Sequence, residues 1–199
     1  MKRTLVVMLK EPRPGRVKTR LGRDIGMVPA AWWFRHQARR LIARIEDPRW
    51  QVVLAVSPDV EGLESRVWQG HLARVPQGHG DLGDRMARLL SLPRPGPICI
   101  IGADIPQISR AHIARAFRVL GASDAVFGAA PDGGYWLVGM KRVRAVSPRL
   151  FKGVRWSSEH ALADTIATLP EARVAFVDTL QDVDRACDLR MTTPSVRVT

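Results

Sequence analysis

Three stretches of uninterrupted apolar residues, TLVVML at 4–9, QVVLAV at 51–56 and PICIIGAD at 97–104, constrain this chain more than any other feature. A strand covered on one face alternates apolar and polar residues, whereas continuous β-branched apolarity belongs to a strand buried on both faces. Helical spacing fills the gaps between them. From Pro29 to Ile45 the residues Phe34, Ala38, Leu41, Ile42 and Ile45 recur at steps of three and four, with Arg35, Arg39, Arg40 and Arg44 elsewhere, as in an amphipathic helix. A second helix is expected from Ser109, a suitable N-cap, to Leu120, with Ile113, Ala116, Phe117 and Leu120 on one face. DAVFGAA at 124–130 and YWLVGM at 135–140 are further strand candidates, followed by a helix over Ser158 to Leu169 and a last strand, RVAFVD, at 173–178. Strands alternating with helices predict an α/β fold of three α/β/α layers on a mostly parallel sheet.

The 199 residues suit one domain over the whole length, and no repeat, linker or low-complexity tract divides them. The apolar start, Thr4 to Leu9, is too short for a secretory signal, and no run approaches the ~20 residues of a membrane span. Two cysteines, Cys99 and Cys187, without CxxC or metal-ligand spacing, fit a reduced, cytoplasmic setting and no membrane partner. A formal net charge of +12 favours anionic partners. The arginines are spread along the chain without a recognised nucleic-acid motif, so a nucleic-acid-binding module is the weaker reading of that charge.

In open parallel sheets ligands bind beyond the carboxyl ends of the strands, which ranks the polar residues. After the first strand comes KEPRPGRVKTRLG, in which Lys10, Arg13, Arg16, Lys18 and Arg20 surround Gly15. Lys18 and Arg20 can hold phosphate by charge-assisted hydrogen bonds, with the Thr19 hydroxyl beside them. The loop is neither a Walker A nor a GxGxxG element, and a solvated basic turn explains it equally well. Asp104 ends the third apolar run; a hard ion such as Mg²⁺ takes one or two protein carboxylates, while a helix cap is the plainer role. Asp132 precedes Gly133, Gly134 and Tyr135, a tight turn whose glycines also admit a sugar or phosphate close to backbone. QGHGDLGDRM sets glycines around Asp81 and Asp84 where a helix begins at Arg85, and a helix start offers free amides. The last strand is followed by Asp178, Asp182, Asp184 and Asp188, some of which cap the next helix. No HExxH, GxSxG or Cys/His pairing suggests a catalytic zinc or a covalent nucleophile.

In this order, VVMLKEPRPGRVKTRLG, GDLGDRM, IIGADIPQIS, AAPDGGYWLVGM, LFKGVRWSSEHALADT and LQDVDRACDL resemble a bacterial family of uncharacterised GT-A-fold transferases, the radical-SAM/selenodomain-associated type. The resemblance runs from Leu5 to Leu189 and extends to phospholactate guanylyltransferase, through its KTRL or KSRL element, and to molybdenum-cofactor nucleotidyltransferases. It implies a nucleotide-diphospho-sugar transferase fold, with Lys10, Lys18 and Arg20 holding triphosphate. Asp104 and Asp184 would bind Mg²⁺ or Mn²⁺, and Asp81, Leu82, Gly83 and Arg85 would lie along the base or ribose. Related enzymes end in DVDTPEDL where this chain has DVDRACDL, so Arg185, Ala186 and Cys187 replace Thr, Pro and Glu and alter the cap of that helix.

The expected function is a transferase, with Lys18, Arg20 and Asp104 as catalytic residues. It would move a nucleoside monophosphate from a nucleoside triphosphate to a small phosphorylated or acidic acceptor. The alternative is glycosyl transfer from a nucleotide sugar on the same fold.

Overall fold

The computed structural model describes residues 2–94, 96–143 and 145–191, the side chains of 190 and 191 excepted. Its strands are β1 (Thr4–Lys10), β2 (Gln51–Ser57), β3 (Ala73–Pro76), β4 (Ile98–Gly102), β5 (Ala125–Ala129), β6 (Tyr135–Met140) and β7 (Val174–Val177). The helices are α1 (Thr19–Ile25), α2 (Met27–Ile45), α3 (Asp59–Glu64), α4 (Leu82–Leu90), α5 (Arg110–Val119), α6 (Ala161–Ala167) and α7 (Ala186–Met191).

One seven-stranded sheet runs in the order β3-β2-β1-β4-β6-β5-β7. The β1–β2, β1–β4, β2–β3 and β5–β7 pairs are parallel, and β6 is antiparallel to both of its neighbours. The mostly parallel α/β expectation therefore holds. The pleat sends alternate residues of each apolar run to opposite faces. Leu5, Val7, Leu9, Cys99 and Ile101 pack into a layer with Phe34, Ala38, Leu41 and Ile42 of α2 and Ile113 and Phe117 of α5. Val6, Ile98 and Ile100 pack on the other face with Met86, Leu89 and Leu90 of α4 and Ala161 of α6. Leu5, Leu41, Ile42, Leu54 and Leu89 are fully buried, each such side chain contributing ~2 kcal/mol by removal from water.

The expected strands and long helices form close to their predicted bounds. The Pro29 helix starts earlier, at Met27, because a proline in the first turn gives up an N–H that has no intrahelical partner there. The helix expected over 158–169 is shorter. Ser157 has φ 58° and breaks its approach, while the Asp164 carboxylate turns back to accept from the Arg155 backbone N–H and guanidinium at 3.0 and 2.8 Å. Among the described residues, no helix is long and apolar enough to cross a membrane.

The topology sets one mouth of the sheet. β1 and β4 end at Lys10 and Gly102, and β6, running the other way, begins there at Tyr135. The chain after β7 is hooked across the same end. The Leu180 N–H donates to Ala129 O at 3.1 Å, Val183 N–H to Asp104 O at 3.3 Å, and Trp136 Nε1 to Asp178 O at 2.8 Å.

Candidate active site

The loop after β1 is pinned by two apolar residues, Val17 and Leu21, at 4% and 0% exposure. Between them Lys18 adopts the left-handed conformation, φ 45° and ψ 48°, at the start of α1. That region costs a non-glycine residue ~1–2 kcal/mol, and it turns the Lys18 side chain inward. The side chain keeps only 7% of its surface exposed, and its Nζ lies 2.6 Å from Asp104, 3.0 Å from Asp184 and 3.4 Å from Asp182. Arg20, 60% exposed, adds a second cation at 2.7 Å from Asp184.

The acidic side of this cluster follows from the pattern DVD. Val183 is fully buried with Leu21 and Ala30, so the flanking aspartates both reach Lys18. Asp188, 8% exposed, accepts from the Asp184 and Arg185 backbone N–H groups at 2.9 and 2.8 Å. The cap expected to be altered is supplied from elsewhere: Asp24, in α1, accepts from Ala186 N–H at 3.0 Å. Burial pushes Asp182 up to about 6, Lys18 pulling it down while Asp104 and Asp184 push it further up. At Asp184 burial also acts upward but is outweighed by Lys18 and Arg20, which leave its carboxyl below the ordinary value. Burial works to lower Lys18, and the three carboxylates, Asp104 foremost, override it and raise the ammonium's pKa.

This cluster forms one wall of a cleft of about 980 Å³. Lys10, Lys18, Thr19, Arg20, Asp81, Leu82, Arg85, Asp104, Asp132, Gly134, Tyr135 and Asp184 line it, so most of the predicted site residues share one cavity. Gly15, Gly83 and Gly133 do not line it. Gly15 faces open space at φ 76°. A Cβ on Gly83 would come within 2.7 Å of Phe151 and 2.8 Å of Trp156, so this glycine serves the packing of α4. Gly133, at φ 83°, lies against the backbone of Glu159, where a Cβ would strike the carbonyl oxygen at 2.1 Å; protein backbone fills the space expected for a sugar or phosphate. Asp81 also carries a structural task, as the N-cap of α4 accepting from Asp84 N–H at 2.8 Å. Tyr135 stands with its hydroxyl 3.3 Å from Thr165 Oγ1.

Among the lining residues that the sequence did not single out as site residues are Gln77, Trp156 and Glu159. Gln77, 3% exposed, donates from Nε2 to Leu9 O and Ala55 O at 2.9 and 2.8 Å and ties the ends of β1 and β2 together beneath the cleft. Trp156 and Glu159 come from the RWSSEH stretch. No local signal marks Gln77; Trp156 sits in a block singled out only by the resemblance, and Glu159 in the stretch expected as a helix over 158–169.

Residues 41–158 match the family described as "Uncharacterized protein conserved in bacteria (DUF2064)". The chain belongs to that family. No curated protein matches this DUF2064 member. Among solved structures, it resembles a candidate nucleotide-diphospho-sugar transferase from Desulfovibrio desulfuricans G20, at 25% identity and TM-score 0.88 over 100% of this chain and 90% of the other. Rv0371c from Mycobacterium tuberculosis H37Rv, in complex with manganese, matches at 18% identity and TM-score 0.56 over 98% and 100% of the two chains. The 4-diphosphocytidyl-2C-methyl-D-erythritol synthase of Anaerococcus prevotii DSM 20548 matches at 10% and 0.58 over 96% of each. The DUF2064 chain thus has the nucleotide-diphospho-sugar transferase fold, and the transferase class expected from sequence agrees with the description of the Desulfovibrio neighbour.

The donor set offers a divalent ion two carboxylates. Asp104 and Asp184 already converge on a single cation, and carboxylate oxygens in one or two copies are what Mg²⁺ or Mn²⁺ takes from protein. Among the described residues, no group of three or more His, Cys, Asp or Glu side chains is arranged to hold a metal; Lys18 Nζ stands where the carboxylates meet.

Proposed function

We propose that this DUF2064 member is a divalent-metal-dependent nucleotidyltransferase. An oxygen of a small phosphorylated or acidic acceptor attacks the α-phosphate of a nucleoside triphosphate, the bond from that phosphorus to the bridging oxygen breaks, and pyrophosphate leaves. The observation that carries this reading is that Lys10, Lys18 and Arg20 line one cleft with Asp104 and Asp184, and that Lys18 and Arg20 pair directly with those carboxylates.

Lys10, Lys18 and Arg20 bind the phosphates and stabilise charge that grows on them in the transition state. A group of this kind is worth ~3 kcal/mol, roughly a hundredfold in rate. Asp104 and Asp184 would hold the Mg²⁺ or Mn²⁺, which supplies charge neutralisation at the phosphates when bound. Leu82 and Arg85, which line the same cleft, flank the base or ribose, and Asp132, Gly134 and Tyr135 border the acceptor. Alignment in a walled cleft provides much of the remaining acceleration, and no covalent protein intermediate is required.

Glycosyl transfer from a nucleotide sugar is the second reading, favoured by the Desulfovibrio neighbour, which is described as a sugar transferase and spans the whole chain. A triphosphate gives three cleft cations more charge to neutralise than a diphosphate does. Melting temperatures measured with Mg²⁺ and a panel of nucleoside triphosphates and nucleotide sugars separate the two. Stabilisation by at least one triphosphate is expected. Stabilisation by nucleotide sugars alone would replace nucleotidyl by glycosyl transfer.

A further inference from the structure

Three carboxylates, Asp104, Asp182 and Asp184, surround one ammonium, Lys18 Nζ, at 2.6, 3.4 and 3.0 Å. An ammonium that makes these contacts has used its three N–H donors and cannot also hold a phosphate. All four side chains line the cleft, and the carboxylates are more open than the lysine, at 27%, 35% and 36% exposure against 7%. Charge is unbalanced: Lys18 and Arg20 leave one of the three negative charges uncompensated.

We infer that Lys18 is the resident cation of this carboxylate cage in the metal-free protein, and that a divalent ion enters by displacing it. The inference rests on the reading that Asp104 and Asp184 take a divalent ion. Such an ion would take the carboxylate lone pairs that now accept from Lys18. Two cations on those same oxygens would also repel at short range. The backbone of residue 18 is held on either side by buried Val17 and Leu21, so the four-carbon side chain moves rather than the loop. The displaced ammonium swings into the cleft between Lys10 and Arg20, where the phosphates bind. Metal loading and phosphate binding by Lys18 are then two halves of one exchange, and each strengthens the other by the same factor. Lys18 is in this sense a positioning residue for the metal as well as a phosphate ligand.

The test uses Mn²⁺ alone, with its binding followed by loss of the free-ion electron paramagnetic resonance signal. Lys18→Met should bind Mn²⁺ at least tenfold more tightly than the unaltered protein, and Lys18→Arg, which restores a cation, should return the affinity toward the unaltered value. Adding Asp104→Asn to Lys18→Met should abolish the gain. Equal or weaker binding by Lys18→Met, in a protein shown by circular dichroism to be folded, overturns the exchange and leaves the metal reading intact. Absence of Mn²⁺ binding at millimolar concentration in every variant overturns the metal reading and the exchange with it. A second measurement needs no variant: amine acetylation at Lys18, read by mass spectrometry in the unaltered protein, should quicken several-fold once Mn²⁺ is bound. An unchanged rate at saturating Mn²⁺ likewise overturns the exchange.

Discussion

Replacing Asp188 by alanine should loosen the acidic arm of the cleft without removing any group that meets a ligand. The Asp188 carboxylate accepts from two backbone N–H groups, those of Asp184 and Arg185, at 2.9 and 2.8 Å, and from Gln181 Nε2 at 3.2 Å. Hydrogen bonds to a charged partner are each worth ~1.5–3 kcal/mol. Water can reach the partly exposed loop and recover part of that, so the loss should be about 2–4 kcal/mol. In a chain of this size each kcal/mol moves the melting temperature by roughly 2–4 °C, which gives a fall on the order of 5–15 °C. Asp188→Asn keeps one acceptor oxygen and should lose about half as much. Urea denaturation of the three proteins measures the difference, and divalent-ion affinity should fall in the same order because Asp184 is no longer held toward Lys18. A folded Asp188→Ala protein within about 0.5 kcal/mol of the parent would refute the claim that this carboxylate holds the loop.

Three further outcomes follow from single positions. Gly133→Ala meets both a positive φ and the Glu159 carbonyl oxygen at 2.1 Å, and should destabilise the protein by ~2 kcal/mol or more, measured by thermal melting. Asp182→Asn should stabilise the metal-free protein. The native pKa of about 6 lies above the ordinary 3.8, so the aspartate's favourable contribution is complete below pH 3.8 and is lost as pH rises through 6. With its side chain 35% exposed, screening holds the gain to about 1 kcal/mol at pH 8, and it should shrink by pH 5. Thiol labelling of the native protein at pH 8 should modify the exposed Cys187 and spare the buried Cys99, whose thiol is pushed well up by burial; two fast thiols would contradict the packing of β4.

The strands β1, β2 and β4 are readable because burial on both faces demands unbroken apolar runs. By contrast β3 has only four partly exposed residues at the sheet edge, among them Arg74 and Pro76, and no periodicity marks it. The short α1 follows Lys18 in a left-handed turn without a side-chain cap, so the usual helix-start signal is missing. The insertion of β6 between β4 and β5 depends on long-range packing that no local pattern encodes. At the site, Asp104 stands out because a carboxylate two residues beyond the buried β4 has few structural reasons to be there, whereas Lys18, Arg20 and Asp184 are marked by the resemblance of their blocks rather than by any local pattern. Their pairing across as many as 166 residues is a product of the topology alone. Glycine-rich stretches mark backbone freedom without saying for whom: at Gly83 and Gly133 the space is taken by the protein's own Trp156 and Glu159.

In the proposed function Lys10, Lys18, Arg20, Asp104 and Asp184, which line one cleft, bind the phosphates of a nucleotide together with a divalent ion. Arg20 tests it most directly, because its side chain is 60% exposed and can be removed without loss of the core. Calorimetric titration of Arg20→Ala with the Mg²⁺ complex of the best stabilising nucleoside triphosphate should show affinity reduced about 10- to 100-fold, the worth of one charge-assisted contact, with the melting temperature of the unliganded protein nearly unchanged. Affinity equal to that of the parent protein would place the phosphates elsewhere and contradict the account.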